Sequence, residues 1–276
     1  MKFQVLATIF ILSILNCAGQ SEKVQVLPLN EDEIIKKYLK NGAWNHSYLT
    51  KEWDEWINKG LKEDSTVEYL WQQKAMPFWK TKKYSLAISY YEKAVEFNRK
   101  RYLGRFGFLK CIFAKDYNGA LKDLISYKNE FGSRHEQDHS LEFYMGICFL
   151  QINQYEKALN VLKEQNSKEE TQHGNEWVHY LDRYYLAITY YELGKYVKAI
   201  SEFDKVLKDY PRFSDAQYYK SLCLNRLDKK EEAKMLMKEG KSNFKKGYTF
   251  NEDSSKYEEY PYQITWQWMV TESIME

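Results

Sequence analysis

The chain has 276 residues, 44% of them hydrophobic, and carries 24 Tyr, 14 Phe and 8 Trp against only 12 Gly and 4 Pro. This composition excludes a disordered or collagen-like chain and predicts nearly continuous helix with large side chains at its interfaces. Lys and Arg number 41 and Asp and Glu 39, a net charge of +2, which provides neither the basic footprint of a nucleic-acid binder nor a polybasic membrane anchor.

Residues 1–17 begin with a single charge, Lys2, and run apolar from Phe3 to Leu15. The run is short for a bilayer span and placed as a signal peptide is, so the protein is expected to be exported, to the periplasm, the outer membrane or beyond. Cys17 ends the run and resembles the lipid-modified cysteine of bacterial lipoproteins, which would be the chain's only tie to a membrane. Asn16 departs from the small residue usual before that cysteine. Ordinary signal-peptidase cleavage near Ala18 to Gln20 therefore stands beside lipidation as a second reading.

Residues 18–29 read as a tether. Asn30 before Glu31, Asp32 and Glu33 has the pattern of a helix cap with acids in the first turn, and Thr50 opens a second helix whose Trp53, Trp56, Ile57 and Leu61 share one stripe. Residues 30–64 are thus expected to cap the front of a stack. Ser65 and Glu68 have capping-box spacing and open a helix hairpin over about 65–98. Trp71, Ala75 and Phe78 line its first helix, where Pro77 is expected to introduce a kink, and Tyr84, Ala87, Tyr91 and Ala94 line its second.

Similar hairpins follow at about 101–131, 140–165, 180–212 and 214–240. The second is one residue longer than the rest between Gly107 and Ala120. In the fourth, Leu186, Ala187, Tyr190 and Tyr191 recur at helical spacing and Gly194 interrupts. Ala199, Ile200, Phe203, Val206 and Leu207 then form a second stripe that stops before Pro211. The second-helix alanines Ala87, Ala120, Ala158, Ala199 and Ala233 are 33, 38, 41 and 34 residues apart, a unit near 34 with two insertions. Those insertions, around 132–140 and 166–177, are polar and expected as loops on one edge. Residues 241–276 keep the aromatics but lose the hairpin period, and are expected to pack back on the last hairpin as a cap. Cys111, Cys148 and Cys223 sit among Ile, Phe and Leu and are expected as small core residues, not disulfides.

The residue order from Tyr184 to Phe213, with Ala187 and Ala199 in two small slots that let helix backbones approach, resembles the tetratricopeptide repeat (TPR). Trp71 falls on that family's tryptophan slot, and Ala75 where its glycine is commonest. The resemblance implies an all-α, right-handed α-solenoid of about five hairpins with atypical caps, acting as an adaptor for an unknown protein or peptide. In such stacks the first helices line a concave groove, and the positions facing it here would be Tyr69, Gln72, Trp79, Phe143, Ile147, Tyr184, Tyr191, Tyr218, Asn225 and Arg226. Tyrosines in such a place bind chains at low entropic cost. A glycan-binding envelope module is the alternative, because Trp and Tyr also stack on sugar rings.

The one enzymatic motif is His135-Glu136-Gln137-Asp138-His139, which has the H-E-x-x-H spacing of a zinc metalloprotease. Its polar flanks, the internal Asp and its place in an insertion argue against that chemistry, and Glu142 is too near to serve as third ligand. His173 and His179 are expected to be solvated. With no Ser-His-Asp order and no glycine-rich phosphate loop, the sequence points to a binding protein without catalytic residues, metal or cofactor.

Overall fold

The computed structural model describes residues 30–265, so the leader with Cys17, the tether and residues 266–276 lie outside the described residues. Asn30 and Glu33 form a full capping box at the start of α1 (Glu31–Ile34), each side chain bonded to the other's backbone N–H at 3.0 Å. The helix widens into a π-helical stretch (Ile35–Lys40), and Thr50 then caps α2 (Lys51–Glu63). Ile34, Leu39, Ile57 and Leu70 are completely buried and Trp53 nearly so, so this cap owns a small core against the first hairpin.

Five hairpins follow: α3 (Glu68–Lys80) with α4 (Tyr84–Phe97), α5 (Arg99–Leu109) with α6 (Tyr117–Phe131), α7 (Leu141–Gln151) with α8 (Tyr155–His173), α9 (Tyr180–Glu192) with α10 (Tyr196–Asp209), and α11 (Ser214–Arg226) with α12 (Lys230–Lys245). Each helix packs on the next in chain order, which makes an all-α solenoid. A small residue on each first helix stands twelve or thirteen positions before the second-helix alanine: Ala75 before Ala87, Gly107 before Ala120, Gly146 before Ala158, Ala187 before Ala199 and Ser221 before Ala233. The two helices approach closely enough that a Cβ at Gly107 would come within 2.6 Å of Leu124, and one at Gly146 within 2.5 Å of Leu162. The extra residue of the second hairpin is absorbed where α5 ends in a π-helical turn (Lys110–Ala114), which restores the register before Ala120. Between the two helices of every hairpin one residue takes the left-handed conformation: Lys82, Lys115, Asn153, Gly194 and Asp228, at φ between 56° and 68°. Only the fourth hairpin uses glycine there. Among the described residues no helix is long and apolar enough to cross a membrane.

Several local expectations give way. The Ser65–Glu68 capping box does not form, because the Glu68 carboxylate instead accepts from Asn98 Nδ2 at 2.9 Å, tying the first hairpin to the second. The second insertion is helical to His173, with Gln165 and Asn166 buried, and only then turns. The first insertion folds into an antiparallel pair, β1 (His135–Glu136) and β2 (His139–Ser140), with Glu136, His139 and Ser140 buried. Its polar residues can go inside because they find partners: the Glu136 carboxylate is flanked by Arg134 and Arg105, and its carbonyl accepts from Tyr144 Oη at 2.9 Å.

Candidate functional site: the groove and its C-terminal strap

Phe113 after α5, Tyr184 and Tyr185 on α9, and Tyr219 on α11 all turn their rings to one segment of the chain and so form one wall. The chain's own residues 248–264 lie along that wall as a strap. Ser214 N donates to the Tyr248 carbonyl at 2.8 Å, and Thr249 Oγ1 donates to Asp215 Oδ2 at 2.7 Å. Phe250 then enters a ring cluster, 5.6 Å from Tyr184 and 5.5 Å from Phe213. Glu252 reaches His139, with 3.6 Å between Oε2 and Nε2. The strap arrives at the first two hairpins with the Tyr257 ring 6.5 Å from Phe113 and Glu258 held by Tyr84 and Lys82, while Lys115 donates to the Glu259 carbonyl. It then returns: Tyr185 Oη donates to the Pro261 carbonyl at 2.7 Å, Tyr184 Oη to the Tyr262 carbonyl at 2.8 Å, and Ile264 N to Asp215 Oδ1 at 2.8 Å.

The expected C-terminal cap therefore does more than cover the last hairpin, and this corrects the reading of the groove. Of the ten positions assigned to an open wall, Trp79, Phe143, Ile147, Tyr184 and Tyr218 are buried. The strap covers Tyr184 through Phe250 and the Tyr262 carbonyl, whereas Trp79 packs against Tyr91 and Phe113, and Phe143 against His139, Tyr144 and Tyr185. Tyr69, Gln72 and Tyr191 are half-buried, and Asn225 and Arg226 are exposed. Tyr69 packs edge-on against Trp44 of the N-terminal cap, with the Arg101 guanidinium over its other side. Tyr191, Asn225 and Arg226 remain together near the turns of the last two hairpins.

Sequence reasoning missed Asp215, which closes the strap at both ends. An acid in a helix's first turn ordinarily answers the helix dipole, so nothing in the sequence marks this one as buried. Burial pushes its carboxyl up to about 7, against the hydrogen bonds from Ile264 N, Thr249 and Ser214 that pull it down. Since the folded value lies above the ordinary one of 3.8, its stabilising contribution is fully present below about pH 4 and lost as pH rises through 7. Melting temperatures of the wild type should accordingly fall between pH 4 and 7, and Asp215→Asn should flatten that part of the curve. An equal slope in the variant would assign the pH dependence to other groups.

The second polar centre is His139. Its Nδ1 lies 3.0 Å from Asp182 Oδ2, its ring stacks on Phe143 at 3.9 Å, and the His179 ring is 4.8 Å away. Burial works to lower its pKa, but the Asp182 and Glu252 carboxylates prevail and raise it to about 9. His179 moves down instead, through burial and the neighbouring His139. The H-E-x-x-H reading thus fails on geometry, since His135 is exposed and His139 buried across a tight strand pair instead of sharing a helix face. His179 is half-buried beside His139, not solvated as expected, because β2 and the start of α9 are packed together.

A sequence model of the tetratricopeptide repeat matches residues 183–212, the α9–α10 hairpin. Among curated proteins none matches the chain in sequence. Among solved structures, pilF of Pseudomonas aeruginosa is similar at a TM-score of 0.57 and 17% identity, over 78% of this chain and 94% of that one. MamA of Desulfovibrio magneticus RS-1, from residue 41 to its end, gives 0.54 and 15% over 65% and 96%. YrrB, described as a TPR protein with an unusual peptide-binding site, gives 0.50 and 16% over 68% and 91%. At these identities the likeness is one of fold. The match makes residues 183–212 a tetratricopeptide repeat, and the five hairpins together share the solenoid fold of these structures.

Proposed function

We propose that this protein is an exported scaffold that binds a protein or peptide partner on the surface its strap leaves open. The observation that carries this is the filled groove: the strap takes up the aromatic wall, while Tyr191, Asn225 and Arg226 stay accessible. Asn225 also borders a cleft of about 660 Å³ between α11 and α12, lined by Leu222, Met237 and the lysines Lys230, Lys234 and Lys238. A half-apolar, basic-rimmed cleft on this hairpin, which no further hairpin covers among the described residues, suits an acidic segment with apolar anchors. That YrrB, of like fold, has a peptide-binding site supports a peptide or protein as the ligand. The leader supports export, with Cys17 as the proposed lipid attachment point; fatty-acid labelling that is absent from the wild type would remove that anchor.

Affinity capture from the envelope fraction tests the surface. The triple variant Tyr191→Ala, Asn225→Ala, Arg226→Ala should weaken partner recovery by roughly 1 to 3 kcal/mol per buried anchor while its melt stays close to wild type. Undiminished capture by the triple variant would remove this edge from the account.

A further inference from the structure

We propose that His139, His179 and Asp182, joined by Glu252 of the strap, form a buried binding site for a divalent metal ion of the zinc class. This is independent of the scaffold reading and departs from the metal-free chain expected from sequence. One donor atom from each of His139, His179 and Asp182 lies within 4.8 Å of the others, and Glu252 Oε2 stands 3.6 Å from His139 Nε2. A tetrahedral zinc with bonds of about 2.0–2.2 Å keeps its donors roughly 3.5 Å apart, so small side-chain rotations bring His139, His179 and Asp182 onto one ion, with Glu252 at the other His139 nitrogen.

The His139 side chain has no exposed surface, and its buried Nε2 faces Glu252 Oε2 at 3.6 Å, too far for a good hydrogen bond. Leaving such an atom unpaired is costly. With an ion on one ring nitrogen, the carboxylate facing the other nitrogen becomes the orienting partner that histidine ligands ordinarily have. The Phe143 ring already fixes the plane of the imidazole. Charge points the same way. The Asp182 and Glu252 side chains are only 11% and 10% exposed, and a single imidazolium leaves one of these two negative charges uncompensated. Two neutral imidazoles, two carboxylates and a divalent cation balance to zero. Imidazole with carboxylate and no thiolate is a donor set that zinc accepts. Because the four residues come from β2, the start of α9 and the strap, a bound ion would pin the strap to the third and fourth hairpins.

The test uses full-length protein stripped with EDTA and then given zinc chloride alone. We expect one zinc per chain after gel filtration and a higher melting temperature on loading. His179→Asn offers the cleanest variant: its side-chain oxygen can replace the weak capping contact that His179 Nδ1 makes with Leu181 N at 3.3 Å, but it removes an imidazole. Without metal it should melt as the stripped wild type does, and retained zinc should fall at least about tenfold, as should that of Asp182→Asn, while His135→Ala binds normally. Wild type that retains no zinc overturns the proposal, and so does undiminished binding by folded His179→Asn. Should the variants fail to fold, cobalt loading of the wild type decides: tetrahedral visible bands support the site, and an octahedral spectrum or none overturns it.

Discussion

Tyr184→Ala should lower stability by about 3–5 kcal/mol, with Tyr218→Ala close behind, although both positions read from sequence as open groove contacts. Tyr184 has no exposed surface, and its ring sits 5.3 Å from Phe213, 5.6 Å from Phe250 and 5.9 Å from Phe203. Truncation leaves a cavity that three other rings cannot collapse into, and it strands the Tyr262 carbonyl. Tyr184→Phe separates the two losses, because it keeps the ring and removes only the hydroxyl, at a cost of about 1–2 kcal/mol. Tyr191→Ala, at a half-buried position, should cost far less. Circular-dichroism melts of the four proteins check this. A wild-type melt for Tyr184→Ala would mean that the strap is not seated on this wall in solution.

What was legible was the part of the fold written in local spacing. Hairpin number, the alanine of every second helix and the Asn30 and Thr50 caps all follow from residues within one or two turns of each other. The turn after each first helix was legible only in the fourth hairpin, where the left-handed residue is Gly194. The same conformation at Lys82 and Lys115 is imposed by the packing of the flanking helices, and lysine does not announce it. The one-residue excess between Gly107 and Ala120 could be counted, but a π-helical turn as its remedy could not be read from composition.

The strap was illegible for a different reason. Its bonds join Asp215 to Ile264, Tyr185 to Pro261 and Glu252 to His139, all far apart in the chain, and no periodicity carries such pairings. Tyrosines facing a binding groove and tyrosines facing a chain that fills it have the same one-dimensional pattern. The difference lies in residues 248–264, whose aromatic content was visible and whose course was not. The same long range hid the His139 cluster: a sequence motif pairs His139 with His135 four residues earlier, whereas the structure pairs it with Asp182 and Glu252.

Ala199→Arg should be the most damaging single change in the molecule outside the strap. Ala199 and Ala187 are both completely buried, one on each of the two helices, α10 and α9, that pack together in this hairpin. An arginine there either forces the helices apart or leaves a guanidinium without a partner among Phe203, Val206 and Leu186; an unpaired buried charge alone costs about 3–5 kcal/mol, and overpacking adds about 1–3. Val197→Arg, two residues earlier on the same helix at a position 69% exposed, adds the same side chain with an expected effect within about 0.5 kcal/mol. Because each hairpin leans on its neighbours, the loss at Ala199 should spread to α11 and, through Tyr184 and Asp215, release the strap as well. Thermal melting with hydrogen exchange of the Ile264 amide, which is bonded to Asp215, reads both consequences. Equal melts for the two arginine variants would show that the register burying Ala199 is wrong.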